Sequence, residues 1–149
     1  MTIIIDASPI IGLVDKDDRR RWRVADLLAS HAGRLIIPAP VTAEIDYLLE
    51  ARAGKGANLP FLEDLASGAF EVQCLVPEEY SDVVALQRKY LGFAPGLADL
   101  SLADLSIVVL ARRFNTRRIL TFDERHFRAM TRLQGGEFEI LPGSGDGSA

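Results

Sequence analysis

The run Ile3-Ile4-Ile5, closed by Asp6, constrains this chain more than any other stretch. Three consecutive β-branched side chains leave no polar face. A strand built from them must be covered on both sides, as strands of parallel sheets are. A carboxylate at its end is costly to bury unpaired, so Asp6 marks a position with a partner or a task. The rest of the chain repeats the alternation. Strand-like segments at 35–37, 70–75, 118–121 and 137–141 are separated by helical patterns at 17–30, 42–52, 60–67, 77–90 and 102–114. Pro38 and Pro40 stop the second strand, and Gly54 stops the helix after it. Pro77 with Glu78 and Glu79 opens another helix. In the helix at 17–30, Trp22, Ala25, Leu28 and Ala29 fall on or near one face.

Strands alternating with helices imply an α/β fold with a central, mainly parallel sheet flanked by helices. At 149 residues one core suffices, so a single domain is expected over 1–142, with 143–149 (Gly-Ser-Gly-Asp-Gly-Ser-Ala) as a disordered tail. Apolar runs are far too short to span a bilayer. The first residues carry no basic lead or small-residue cleavage site, so a cytoplasmic protein without a membrane partner is expected. Cys74 is the single cysteine; lying in an apolar stretch, it reads as inert packing in a reducing compartment.

Carboxylates recur beside hydrophobic structure at Asp6, Glu44, Asp99, Asp104 and Asp123. Asp6 and Asp123 each follow a predicted strand, and ligands of such sheets bind beyond the carboxyl ends of the strands. If these groups converge, their repulsion must be offset by something positive. Mg²⁺ or Mn²⁺ fits, since hard cations take oxygen ligands. Such a site lowers the pKa of a bound water for in-line attack on a phosphodiester. The only histidines are His31 and His126. Zinc and thiol chemistry are therefore poorly supported, and no phosphate-binding glycine loop is present. Structural roles compete at each position. Asp6 and Asp123 also suit helix caps, Glu44 a helix first turn, Asp99 a cap near Ser101, and Asp104 a first-turn acid. The net charge of −4 argues against a passive nucleic-acid coat but not against a nuclease, because bound divalent cations reverse the local sign.

The segments Ile3-Ile-Ile-Asp6-Ala-Ser8, Val41-Thr-Ala-Glu44-Ile, Leu102-Ala-Asp104-Leu-Ser-Ile-Val and Ile119-Leu-Thr121-Phe-Asp123-Glu-Arg-His-Phe127 follow one another in order. In this they resemble the PIN-domain family, and within it the VapC-like toxin ribonucleases of type II toxin–antitoxin pairs. The resemblance spans residue 3 to about 141. It implies a three-layer α/β sandwich and a Mg²⁺- or Mn²⁺-dependent endoribonuclease. By position, Asp6, Glu44 and Asp104 would be the core metal ligands and catalytic acids, with Asp123 completing the pocket. Asp99 would be a further ligand, through water, or a cap. Ser8 and Thr121 match small hydroxyl positions that orient a carboxylate or a water, or cap backbone. A glycine-bounded loop at 92–96 departs from the pattern and bears on substrate identity.

Basic side chains form three groups: Arg19, Arg20, Arg21 and Arg23; Arg112, Arg113, Arg117 and Arg118; and Arg125, His126 and Arg128. The first two read as solvated faces. Arg125, beside Asp123, is the first choice for an RNA contact. The resemblance further implies a VapB-like antitoxin that occludes the site, and a homodimer. Residues 22–28 and 42–49, with Trp22 and Tyr47, would form the apolar groove for such a partner. A catalytically silent PIN-like binding module is the competing reading, and it has no chemical need for this many carboxylates. A phosphatase or phosphotransfer domain fits worse. Ser8 stands where a second aspartate would be needed, and no lysine lies near the last strand.

Overall fold

A computed structural model describes residues 1–92 and 99–143. Most of the expected loop at 92–96 and nearly all of the expected tail at 143–149 lie outside the described residues. In chain order the elements are β1 (Thr2–Ile5), α1 (Ala7–Val14), α2 (Arg21–Ser30), β2 (Arg34–Pro38), α3 (Ala39–Ala53), α4 (Leu59–Ser67), β3 (Glu71–Gln73), α5 (Pro77–Leu91), α6 (Leu102–Arg113), β4 (Arg118–Leu120), α7 (Glu124–Ala129) and β5 (Glu139–Leu141). The sheet order is β3-β2-β1-β4-β5, and every pairing is parallel.

That order follows from the hydrophobic pattern. Ile3, Ile4 and Ile5 are fully buried, as are Ile36, Ile37, Ile119 and Leu120 beside them. The strand with no polar face therefore takes the centre. Each such side chain contributes roughly 1.5–3 kcal/mol by leaving water. Helix α6, buried from Leu105 through Ala111, lies against β1, β2 and β4 and packs on α5. Helix α1 packs on α2 and α3. The sheet with its helical covers makes the α/β sandwich that was expected.

The chain leaves β1 toward β2 and β3 on one side, then returns to place β4 and β5 on the other. The carboxyl ends of β1 and β4 thus form the switch point where such sheets open a crevice. Ile5 pairs with Leu120, and the amide of Asp6 donates to the Leu120 carbonyl at 2.9 Å. Asp6 and Thr121 are the residues that follow, side by side. On the opposite edge, Gly33 turns the chain into β2 against the first residue. A Cβ there would stand 1.7 Å from the Met1 carbonyl oxygen, so this turn admits only glycine.

Several expectations are corrected. Helices α1 and α7 lay within segments given no element. Pro40 does not only end a strand; it sits in the first turn of α3, where its missing N–H costs nothing. Because α3 begins at Ala39, Glu44 falls in its second turn and no acid occupies the first, so dipole complementation does not account for it. In α2 the buried residue is Val24, which was not picked out; Trp22 is 66% exposed, the condition for the partner surface expected of it. Cys74 is exposed rather than packed, because it follows the edge strand β3.

Candidate active site

The site is built around Asp6, only 6% exposed, at the N-cap of α1. Its two oxygens are both engaged. Oδ1 accepts from the Ala7 amide at 2.7 Å, and Oδ2 accepts from the Thr121 hydroxyl at 2.7 Å. Burial pushes its carboxyl up to about 6; the hydrogen bonds from Thr121 and Ala7 pull the other way, and the charges of Asp104 and Glu44 add to the rise. Glu44 is an exposed residue whose carboxyl is partly desolvated. Partial burial of its carboxyl, and then Asp104, raise it as well. These three carboxylates, from three elements, therefore lie within electrostatic reach of one another.

Asp104 serves as both cap and site residue. Its Oδ2 accepts from the Ser101 amide at 2.9 Å and the Ser101 hydroxyl at 3.0 Å, and its own amide donates back to that hydroxyl. This capping box fixes the side chain at the first turn of α6 and leaves Oδ1 clear of it. Asp123 is the N-cap of α7. Its Oδ1 accepts from the His126 amide at 3.4 Å, and its Oδ2 lies 2.5 Å from His126 Nδ1. Its link to the centre runs through Thr121, whose Oγ1 accepts from the Asp123 amide at 2.9 Å. Thr121 thus donates to the Asp6 carboxylate and, by accepting from the Asp123 amide, holds the following loop.

The other positions divide. Ser8 Oγ accepts from the Phe122 amide at 3.0 Å, which pins the β4–α7 loop onto α1 rather than orienting a carboxylate. Asp99 is exposed, and Ser101 rather than Asp99 caps α6, so the capping role expected of it is overturned. It is also absent from the charges that act on Asp6 and Glu44. Arg125 is exposed and borders a cavity of about 440 Å³ against Thr121 and Asp123. Sequence patterns did not single out Phe122 or Asp18; the only hint of Phe122 was its place between Thr121 and Asp123.

The donor set is all oxygen, and among the described residues no three acidic, histidine or cysteine groups stand together as a ready-made ion cage. Mg²⁺ binds through one or two carboxylates and keeps several waters, so an open acidic centre suits it. A cation would also offset the charges of Asp104 and Glu44 that act on the buried Asp6 carboxyl. Replacing Thr121 by Val should therefore lower activity on RNA about ten- to a hundredfold, the cost of losing an orienting partner, while Thr121→Ser keeps most of it. Equal rates for the two variants would show that the hydroxyl orients nothing.

The PIN domain family model matches residues 3–133. The chain is 36% identical over 140 residues to ribonuclease VapC26 of Mycobacterium tuberculosis, covering 94% of this chain and 100% of that protein. Among solved structures, the M. tuberculosis VapC20, a sarcin–ricin loop cleaving toxin, superposes with a TM-score of 0.68 at 18% identity, over 78% of this chain and 86% of that one. FitAB bound to a DNA fragment superposes with a TM-score of 0.60, also at 18% identity, over 84% and 87%. At such identity the two structures speak to the fold.

Proposed function

This chain belongs to the PIN-domain family, and from that premise we propose that it is a toxin endoribonuclease dependent on Mg²⁺ or Mn²⁺. The observation that supports the reading is Asp6, a buried carboxylate at the carboxyl end of the central strand on which the charges of Asp104 and Glu44 act. Similarity to a ribonuclease along nearly the whole chain supports RNA as the substrate. Asp6, Glu44 and Asp104 would hold the ion, with Asp123 bordering it. When bound, the ion supplies Lewis acidity toward the phosphodiester and toward water. Thr121 keeps the Asp6 carboxylate aimed, and the Ser101 box keeps Asp104 aimed.

We extend the proposal to partners. Trp22, 66% exposed, and Tyr47, 71% exposed, stand on α2 and α3, the two helices packed on α1. They suit an antitoxin polypeptide that covers the site, and the toxin would work as a homodimer. Among the described residues no helix is long and apolar enough to cross a membrane.

The test is incubation of the protein, free of antitoxin, with total bacterial RNA in Mg²⁺, in Mn²⁺ and in EDTA. Discrete fragments that need the metal are expected. If the RNA stays intact in every metal and calorimetry detects no divalent-ion binding, the silent-module reading replaces this one.

A further inference from the structure

Two cavities meet at Phe122. One, about 430 Å³, lies between α1 and the end of α3 and has Ser8, Lys16, Arg20, Arg52 and Phe122 in its wall. The other, about 440 Å³, faces Thr121 and Asp123 and carries Arg20, Arg23, Arg125 and Phe122. Arg20 and Phe122 alone line both.

Arg20 is held there from two directions. Its Nε donates to Asp18 Oδ1 at 3.0 Å and its Nη2 to Asp18 Oδ2 at 2.9 Å, a bidentate pair. Its Cζ lies 3.7 Å from the centroid of the Phe122 ring. The ring is fixed in turn: the Phe122 amide donates to Ser8 Oγ, and the ring edge fills the space that a side chain at position 12 would need. Even so, the Arg20 side chain is 52% exposed. One side of the group lies over the ring and the Nε–Nη2 edge is paired with Asp18, while half of the side chain stays open to solvent. A charge that only steers RNA from a distance needs neither the plane nor the clamp. A rigid guanidinium plane with one open face is what a nucleobase stacks on.

We propose that Arg20 is a stacking platform for an unpaired nucleotide of the RNA substrate, next to the bond that is cut. The inference rests on the ribonuclease reading. Phe122 separates Thr121, which holds Asp6, from Asp123, so a base on Arg20 adjoins the acidic centre. Lys16 and Arg52 on one side and Arg23 and Arg125 on the other line the two cavities along which the neighbouring phosphates run. In a duplex both faces of a base are already covered, so the platform selects loops and single strands.

The test uses short RNA carrying 2-aminopurine, either single-stranded or annealed to its complement, with binding measured in EDTA so that nothing is cut. Wild type should bind the unpaired probe more tightly than the duplex and shift its fluorescence. Arg20→Ala should weaken that binding about tenfold, the cost of one lost stack, and abolish the shift. Arg20→Lys keeps a positive charge beside Asp18 but lacks the plane, so it should fail in the same way. Binding by Arg20→Lys equal to wild type would reduce the contact to charge alone and overturn the proposal. So would wild-type binding by Arg20→Ala with a lowered melting temperature, which would make the Asp18–Arg20–Phe122 stack purely structural. Either result, with metal-dependent cleavage of RNA intact, leaves the ribonuclease reading standing. Absence of cleavage by wild type in Mg²⁺ and Mn²⁺ would fail that reading instead.

Discussion

Asp6→Asn should yield a protein that resists unfolding better than wild type at neutral pH yet scarcely cuts RNA. The stability half follows from the raised carboxyl. A group whose folded pKa is about 6, against an ordinary 3.8, stabilises the fold in its protonated form. That contribution is complete below about pH 4 and is lost as pH rises through 6. Two units correspond to about 3 kcal/mol, an upper figure, imposed on wild type at pH 7.5 without a divalent ion. Asparagine carries no charge and escapes it. The difference in melting temperature between the variant and wild type should therefore widen from pH 4 to pH 7. Taking the difference matters, because Glu79 and Asp18, both lowered, drive the opposite trend in each protein. Mn²⁺ should reverse the order, since it stabilises only the protein that binds it. Cleavage should fall by more than about a hundredfold, beyond the cost of losing an orienting partner. A variant that melts like wild type at every pH would mean that Asp6 is not strained, and an active variant would remove it from the site.

The largest loss of stability is expected at Glu79→Ala. Glu79 is 7% exposed and pairs with Arg113, with Nε–Oε2 at 2.9 Å; Oε1 also accepts from the Val76 amide at 2.9 Å. Arg113 donates further to the Cys74 carbonyl at 2.6 Å. This one carboxylate therefore ties the start of α5, the end of β3 and the last turn of α6 together. Its removal strands a half-buried guanidinium and an amide, at about 3 kcal/mol, the low end for a broken buried pair because Arg113 keeps some solvent. In a chain of this size that lowers the melting temperature by roughly 6–12 °C. The hydrogen bond from Arg113 holds the Glu79 carboxyl below its ordinary range, so its contribution is present above about pH 4.5 and disappears on acidification. The gap between wild type and variant should narrow steadily as pH falls below about 4.5. A gap independent of pH would assign the loss to packing instead.

What could be read in advance depended on whether a local pattern recorded the environment. The isoleucines of β1 are buried on both faces, so their run announced a central strand, and the alternation announced the parallel sheet. Helix α1 escaped because it too is buried nearly all round: Ala7, Pro9, Ile10, Ile11 and Gly12 show no helical stripe, and two of them are residues that usually break helices. Val24 escaped for a related reason: it is the one buried residue of α2, and its neighbours give no stripe that marks it. The acids Asp6, Glu44, Asp104 and Asp123 were proposed from ordered motifs. Whether they also cap was settled only by the coordinates, and Asp6, Asp104 and Asp123 do. The contact of Arg20 with Phe122 joins residues a hundred positions apart, which no spacing rule reaches.

The sheet order has a consequence for the timing of synthesis. Asp6 follows the central strand, but one flank of that strand is empty until β4 arrives; Asp104 precedes β4, and Thr121 and Asp123 follow it. A chain that stops short of β4 holds Asp6 without the Thr121 hydroxyl that donates to it. The side chains of the proposed centre therefore come together only once the chain has been made as far as Asp123, because the Thr121 hydroxyl that aims Asp6 and the amide that holds Thr121 both follow β4.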